Sequence, residues 1–292
     1  MNHLKTIALA SIAAMTLFSC KKEVINKSVA VEESKTPKNP IAWEKVVSVV
    51  WGLGTDNRVY RWNASSNSWN EPSPSTRLVR IAVGQNNGAA VWGIGTDGRI
   101  YQWNGAFFYE PNSAARLSNI SAYSSDVAYG VSQDEKILFK TIDGGVNWTT
   151  VALTGVPNPA TLTIKSVSTM RGNDIMIVTN SGEPYYYTSI GWQHFGITGS
   201  SMNLRMASGW TNECWAVKNP SSTPNAGDVL YHNGSSWSTP NPAAQLATVS
   251  MSDDDVVWAT GGDNRVYRWN ASTNSWNEPN PAAGLKVVSS GN

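Results

Sequence analysis

Charge is scarce in this chain of 292 residues: Asp, Glu, Lys and Arg make up 15% of it, against roughly a quarter in an average soluble protein. The 22 basic side chains are balanced by 21 acidic ones, and no charge run is longer than Asp253, Asp254 and Asp255. No basic surface large enough to hold a phosphate backbone results, which disfavours nucleic acid as a partner. Histidine and cysteine are nearly missing. His3, His194, His232, Cys20 and Cys214 share no ligand spacing, so zinc, haem and iron–sulfur sites and Cys/His nucleophiles are not expected, and neither metal nor cofactor is implied. After Ala42 no helical period of useful length appears. What the chain has instead is 14 Trp, 24 Gly and 41% hydrophobic residues, ample material for a sizeable core.

The N-terminus reads as an address followed by a tether. Residues 1–20 run from a short polar start with Lys5 through an apolar stretch, Thr6 to Phe18, into Ser19 and Cys20. That is the three-part pattern of a secretion signal, too short to span a bilayer stably. Leu17-Phe18-Ser19-Cys20 resembles a bacterial lipobox, which implies removal of residues 1–19, lipidation of Cys20 and membrane attachment through the lipid anchor only. An ordinary cleaved signal with a coincidental cysteine is the alternative. Residues 21–42 are polar, carry Pro37 and Pro40 and lack aromatics, so 20–42 reads as the lipidated residue and a flexible tether. By resemblance to lipoproteins of Gram-negative bacteria, Lys21 after the cysteine implies the outer membrane, with exposure at the cell surface open. A folded domain then covers 43–292.

That domain repeats. Asn57-Arg58-Val59-Tyr60-Arg61-Trp62-Asn63 returns as Asn264-Arg265-Val266-Tyr267-Arg268-Trp269-Asn270, and a third copy runs Gly98-Arg99-Ile100-Tyr101-Gln102-Trp103-Asn104. Weaker copies stand at Lys136-Ile137-Leu138-Phe139, Glu183-Pro184-Tyr185-Tyr186-Tyr187 and Asp228-Val229-Leu230-Tyr231-His232-Asn233. A large apolar residue precedes the branched position of each phrase by eight: Trp51, Trp92, Tyr129, Met176 and Trp258, with Trp215 displaced by an insertion. Short apolar strands led by leucine are expected at 78–83, 117–122, 162–167, 204–207, 246–251 and 285–288, and last strands around Trp69, Phe108, Trp148, Trp192, Trp237 and Trp276. Asn, Asp and Gly between them suit tight hairpins.

Four antiparallel strands in a unit of about 40 residues, repeated six times, predict an all-β, six-bladed β-propeller. The first unit opens at 46–52 with the strand that is second elsewhere, and the chain ends at 285–290 with a strand that is first elsewhere. The C-terminal strand is therefore expected to join the N-terminal blade and close the ring without exposed edges. Most Trp and Tyr are then packing between blades.

Trp92-Gly93-Ile94-Gly95-Thr96-Asp97-Gly98-Arg99-Ile100-Tyr101-Gln102-Trp103-Asn104 resembles the tectonin repeat of tectonins, a horseshoe-crab lipopolysaccharide-binding lectin, fish-egg lectins and fungal lectins for methylated glycans. The resemblance covers about 46–291 and is strong in repeats one, two and six. It implies shallow, repeated carbohydrate sites with cell-surface polysaccharide, lipopolysaccharide or methylated glycans as partners. Sugars stack on aromatic rings while fixed polar groups take their hydroxyls. The candidate set is Asp56, Asn57, Arg58, Trp62 and Trp69 in repeat one, Asp97, Arg99 and Trp103 (with Phe108) in repeat two, and Asp263, Asn264, Arg265, Trp269 and Trp276 in repeat six. Several weak sites on a monomer would act through avidity.

Thr141-Ile142-Asp143-Gly144-Gly145-Val146-Asn147-Trp148 resembles the Asp-box of sialidases and of many non-enzymatic propellers, a turn motif lying away from catalysis. Nothing in the sequence matches the arginine cluster, Tyr/Glu pair and acid that a sialidase-like glycosidase needs, so no enzyme activity is expected and such a glycosidase stands only as a minor alternative. The recurring Glu71, Glu110 and Glu278 read as repeated structure. A protein-interaction scaffold is the main alternative to a lectin.

Overall fold

The computed structural model describes residues 49–84, 90–169, 174–188, 190–196, 205–208, 213–218, 227–252 and 256–291. Cys20, the tether and the Asp253–Asp255 run lie outside them. The described residues hold strands and turns, with no helix.

The first repeat contributes β1 (Val49–Gly54), β2 (Val59–Asn63) and β3 (Ser68–Asn70), and the second β4 (Leu78–Val83), β5 (Val91–Gly95), β6 (Ile100–Trp103) and β7 (Phe108–Tyr109). The third has β8 (Asn119–Ala122), β9 (Ala128–Val131), β10 (Leu138–Thr141) and β11 (Thr149–Thr150), and the fourth β12 (Ile164–Thr169), β13 (Ile175–Thr179), β14 (Pro184–Thr188) and β15 (Gly191–His194). The fifth has β16 (Arg205–Ser208), β17 (Glu213–Lys218), β18 (Gly227–Asn233) and β19 (Trp237–Ser238). The sixth has β20 (Gln245–Met251), β21 (Val257–Gly261), β22 (Val266–Asn270) and β23 (Ser275–Asn277), and β24 (Leu285–Gly291) ends the chain.

Repeats two, three and four each form a four-stranded antiparallel sheet, and β24 completes another in the order β24-β1-β2-β3. The meanders of repeats five and six merge into one eight-stranded sheet, because β18 pairs with β20 through Gly227↔Leu246 and Asp228↔Gln245. The C-terminal strand lies on β1 from Val49↔Gly291 to Gly54↔Leu285, as the strand order of the sequence predicts. First strands touch in a closed cycle: β4 on β8, β8 on β12, β12 on β16, β16 on β20, β20 on β24 and β24 on β4.

One residue type organises each sheet. Leu78, Ile164 and Leu285 open their first strands, Leu246 is the second residue of β20 and Leu117 stands two residues before β8, and all five are buried. The backbone N–H of Leu78 donates to the Asn57 carbonyl of the preceding repeat at 2.9 Å. Leu117 does the same to Gly98 (2.9 Å), Ile164 to Glu135 (2.6 Å) and Leu285 to Asn264 (2.7 Å). All four acceptors have left-handed backbones, with φ of 67° at Asn57, 78° at Gly98, 62° at Glu135 and 63° at Asn264. The leading side chain then covers the glycine after the large residue of the second strand. A Cβ on Gly93 would sit 2.3 Å from Leu78 Cδ1, and one on Gly130 2.2 Å from Leu117 Cδ1, so the Trp-Gly pairing is steric. Directly after the leading residue the pairing register shifts by one, at Val79, Lys165, Ala247 and Lys286. Each is a β-bulge that turns the strand end.

Two expected positions move. Ile164, two residues after the leucine expected to lead, heads β12, because the connection before it is longer than elsewhere. In repeat three Leu138, not Ile137, takes the place of Val59: Leu138 pairs with Val131 and is buried, whereas Ile137 is 38% exposed. The hairpin there closes from Ser132 to Ile137 rather than over the shorter Gly54-to-Arg58 span, and the added residue shifts the phrase.

Between repeats the core is aromatic. Trp51 meets Trp103 and Phe108 of repeat two at 5.3 and 6.1 Å, and Trp92 meets Trp148 of repeat three at 6.3 Å. Trp215 meets Trp269 and Trp276 at 5.0 and 5.7 Å, and Trp258 meets Trp62 and Trp69 of repeat one at 5.5 and 6.3 Å. Met176 packs with Trp237 of repeat five, and Tyr129 with Trp192 of repeat four. Arg61 and Arg268 lie over the Trp51 and Trp258 rings at 5.8 and 5.7 Å, and Lys140 over Tyr129 at 5.4 Å, close enough for cation–π attraction.

Removing residues 284–292 takes away buried Leu285 and Val288 and bares the β1 edge. A loss of roughly 3–6 kcal/mol is expected from the two side chains alone, read as a collapsed or broadened thermal transition. A truncated protein melting like the full chain would contradict the closure.

Candidate functional site

The tight turn between the second and third strands positions most candidate residues. In repeat one Asp56 Oδ1 accepts the backbone N–H of Arg58 at 3.0 Å, which closes the turn. Asp97 and Asp263 do the same for Arg99 and Arg265, both at 3.0 Å. Gly54 leaves room for this carboxylate, since a Cβ there would stand 2.5 Å from Asp56 Oδ1. The second oxygen faces the arginine: Arg58 Nε lies 3.1 Å from Asp56 Oδ2, Arg99 Nε 3.0 Å from Asp97 Oδ2 and Arg265 Nε 3.8 Å from Asp263 Oδ2. The far end of each guanidinium meets a glutamate from the next connection, Arg58 with Glu71 at 3.3 Å, Arg99 with Glu110 at 3.1 Å and Arg265 with Glu278 at 3.2 Å.

The recurring glutamates, read from sequence as repeated structure, are therefore the third member of an Asp–Arg–Glu clamp. The signal was available in the spacing of Arg58 to Glu71 and of Arg265 to Glu278, but the pairing needs the fourth strand's register. Two of these carboxylates also keep a buried oxygen without a hydrogen-bond partner, Glu110 Oε1 and Glu278 Oε1. In repeat six Tyr267 donates to Asp263 Oδ2 at 3.0 Å, and burial together with that carboxylate pushes the phenol up to about 12.

The structure separates the remaining candidates from the clamp. Asn57 and Asn264 serve the left-handed turn and offer their carbonyls to the next sheet. Asn57 Oδ1 also accepts Lys286 Nζ, whose pKa is lowered by burial and by nearby Arg80. Trp62 and Trp69 pair at 5.2 Å, as do Trp269 and Trp276 at 5.2 Å and Trp103 and Phe108 at 5.2 Å. These half-buried rings belong to the junctions between repeats. The indole N–H groups of Trp51, Trp69, Trp237, Trp258 and Trp276 are buried without a hydrogen-bond partner, whereas Trp92 donates to the Ser124 carbonyl at 3.0 Å.

Repeat four inverts the pattern. Glu183 stands where Arg58 stands, His194 where Glu71 stands, and they pair at 2.6 Å. His232 packs against Phe195 and Trp237 at 4.5 and 4.9 Å, and Cys214 is buried, which raises its thiol pKa. The Asp-box of repeat three is a tied turn: Asp143 accepts the Asn147 backbone N–H at 2.9 Å and its side-chain amide at 2.7 Å, and Thr141 donates to it at 2.9 Å. No group of three metal-ligating side chains occurs among the described residues, and no helix there is long and apolar enough to cross a membrane.

No protein-family model and no curated protein matches the chain. Among solved structures, a chain of the nidogen/laminin complex is similar over 84% of this chain and 98% of its own, with a TM-score of 0.59 at 10% identity. YCF48 bound to a D1 peptide is similar over 78% of this chain and 70% of its own, at TM-score 0.46 and 16% identity. YCF48 from Cyanidioschyzon merolae covers 81% and 86%, at 0.49 and 15%. The chain is a β-propeller. Four of its sheets are the four-stranded antiparallel blades of that fold, which suits a binding scaffold and fixes no ligand.

Asp143 and Asp134 of this propeller are exposed, and their hydrogen bonds, from Asn147 to the first and chiefly from Ser132 to the second, hold both carboxyls below their ordinary value. A depressed folded pKa contributes stability above the unfolded carboxylate value and loses it as pH falls through the folded one. Melting temperature is therefore expected to fall as pH drops below about 4, the unfolded carboxylate value, and to fall less in Asp143→Asn. An identical acid response in that variant would count against the assignment.

Proposed function

We propose that this propeller binds carbohydrate and catalyses no reaction on it. The observation that carries the reading is the recurrence of one clamp in three repeats with its polar ends still open to solvent. The Asp56, Asp97 and Asp263 side chains are 51, 49 and 50% exposed, and those of Arg58, Arg99 and Arg265 are 42, 40 and 52% exposed. Packing does not require a half-open ion pair to recur. A carboxylate and a guanidinium held rigidly side by side offer an acceptor and donors to neighbouring hydroxyls of a sugar with little loss of side-chain freedom on binding. Weak contacts of this kind on one rigid body would add through avidity.

The finer architecture belongs to the same proposal. We count six blades, taking the eight-stranded sheet as two blades whose edges pair at β18 and β20. The lipobox-like Leu17-Phe18-Ser19-Cys20 supports a protein lipidated at Cys20, tethered by 21–42 and displayed at the outer membrane as a monomer. Cell-surface polysaccharide, lipopolysaccharide and methylated glycans are the ligand classes that the tectonin resemblance brings. One observation favours a protein-interaction scaffold instead: each arginine is already neutralised by two carboxylates, as a purely structural fastening would be.

The deciding experiment is a glycan array with residues 43–292, wild type beside the combined Arg58→Ala, Arg99→Ala and Arg265→Ala variant, both checked for a native thermal transition. Glycan binding by the wild type that falls at least tenfold in the folded variant is the expected outcome. No binding to any glycan would overturn the carbohydrate reading and leave the scaffold.

A further inference from the structure

The connection entering β12 departs from its counterparts. Between β3 and β4, between β7 and the leading Leu117, and between β23 and β24 it runs over seven residues, 71–77, 110–116 and 278–284, whereas between β11 and β12 it covers thirteen, 151–163. The added length folds into two turns, closed by Val156 N–H to the Leu153 carbonyl at 3.0 Å and Thr161 N–H to the Asn158 carbonyl at 3.0 Å. In two short connections an arginine precedes the leading leucine and folds back on local carbonyls, Arg77 on Pro74 at 2.6 Å and Arg116 on Ser113 at 2.7 Å. Here that position is Thr163, which cannot fill the same space.

A cleft of about 380 Å³ results, between the extended connection and the turn from β13 to β14. That volume lies at the low end of ligand sites, roughly 300–1,000 Å³. Asn158, Thr161 and Thr163 line one side, Asn180 and Ser181 the other, and Tyr185 lies between them. The charged clamp of repeats one, two and six has no counterpart on this turn, where Asn180 and Ser181 replace Thr55 and Asp56. Glu183, the nearest carboxylate in sequence, is engaged by His194 at 2.6 Å. The Asn158 and Asn180 side-chain amides and the Tyr185 hydroxyl make no hydrogen bond among the described residues.

We propose that this cleft is a separate binding site for one neutral pyranose unit, with Pro157 and Leu162 as its apolar wall and the Asn158, Thr163, Asn180 and Ser181 side chains as hydroxyl partners. It rests on the carbohydrate reading above but uses none of the clamp residues. Amides and hydroxyls both donate and accept, as sugar hydroxyls do, and an uncharged rim gives an anionic sugar no counter-charge.

The test is an amide-resolved NMR titration of residues 43–292 with methyl glycosides of glucose, galactose, mannose, fucose and N-acetylglucosamine, each to roughly 20 mM, well above the ~1 mM scale of a weak single contact. Wild type is compared with Asn180→Ala, with Ser181→Arg and with the triple arginine variant. Both cleft positions are exposed, so the fold should survive, and thermal melting checks it. Shifts at Thr163 and Thr179–Ser181 are expected with at least one glycoside, weakened at least tenfold in both cleft variants and kept in the triple variant. Titration unchanged in the cleft variants, or lost only in the triple variant, overturns the cleft while the carbohydrate reading stands. If no glycoside shifts these amides although the array shows binding, the cleft again falls alone; if the array is also blank, both fall.

Discussion

A large side chain on the second strand of one repeat, met edge-on by rings from the third and fourth strands of the next, is the contact on which this molecule depends. Trp51, Trp92, Trp215 and Trp258 are each 4% exposed or less, and each meets rings of a neighbouring repeat. Burying an aromatic side chain removes 150–250 Å² from water, an upper-bound gain of roughly 4–6 kcal/mol per ring at 25 cal/mol per Å². That gain exists only when the neighbour is present, so one repeat has no independent reason to fold. The cycle must also close. Trp258 finds Trp62 and Trp69 across the junction between repeats six and one, and β24 supplies the strand that β1 would otherwise leave unpaired.

The same dependence explains why the polar turns are so uniform. An asparagine or glycine in the left-handed region presents its carbonyl to the leading residue of the next sheet, and the aspartate beside it closes the turn. Arginine and glutamate then join the turn to the connection that carries the chain onward. Once this fastening is in place, its charged ends still reach solvent. Repeat four has dropped the device: Glu183 and His194 stand in the arginine and glutamate positions, Asn180 and Ser181 make the turn uncharged, and a longer connection opens a cleft where arginine is packed elsewhere.

Much of the fold was legible because it rests on repeated spacing. The large residue eight before Val59, Ile100, Pro184 and Val266 marks the second strand, and the orphan strands at the two ends predict their own pairing. What escaped was anything set by an inserted residue or by register. One more residue in the Ser132–Ile137 hairpin moves the buried position from Ile137 to Leu138, and the long connection passes the lead from Leu162 to Ile164. The glutamates were visible as a series, but their partner is fixed by how the fourth strand runs back beside the third. The candidate tryptophans carried two readings in sequence, and the structure places their rings at the junctions between repeats. The cleft beside Asn180 comes from a longer loop together with an arginine that is missing, and a missing side chain leaves no motif.

Cooperative closure is tested most directly by native-state hydrogen exchange on residues 43–292. The account predicts that amides of β24 and β1 exchange at the same slow rate as those of β5, β9 and β13, all through global opening. Exchange of β24 through a separate, lower-energy opening while β5, β9 and β13 stay protected would contradict it.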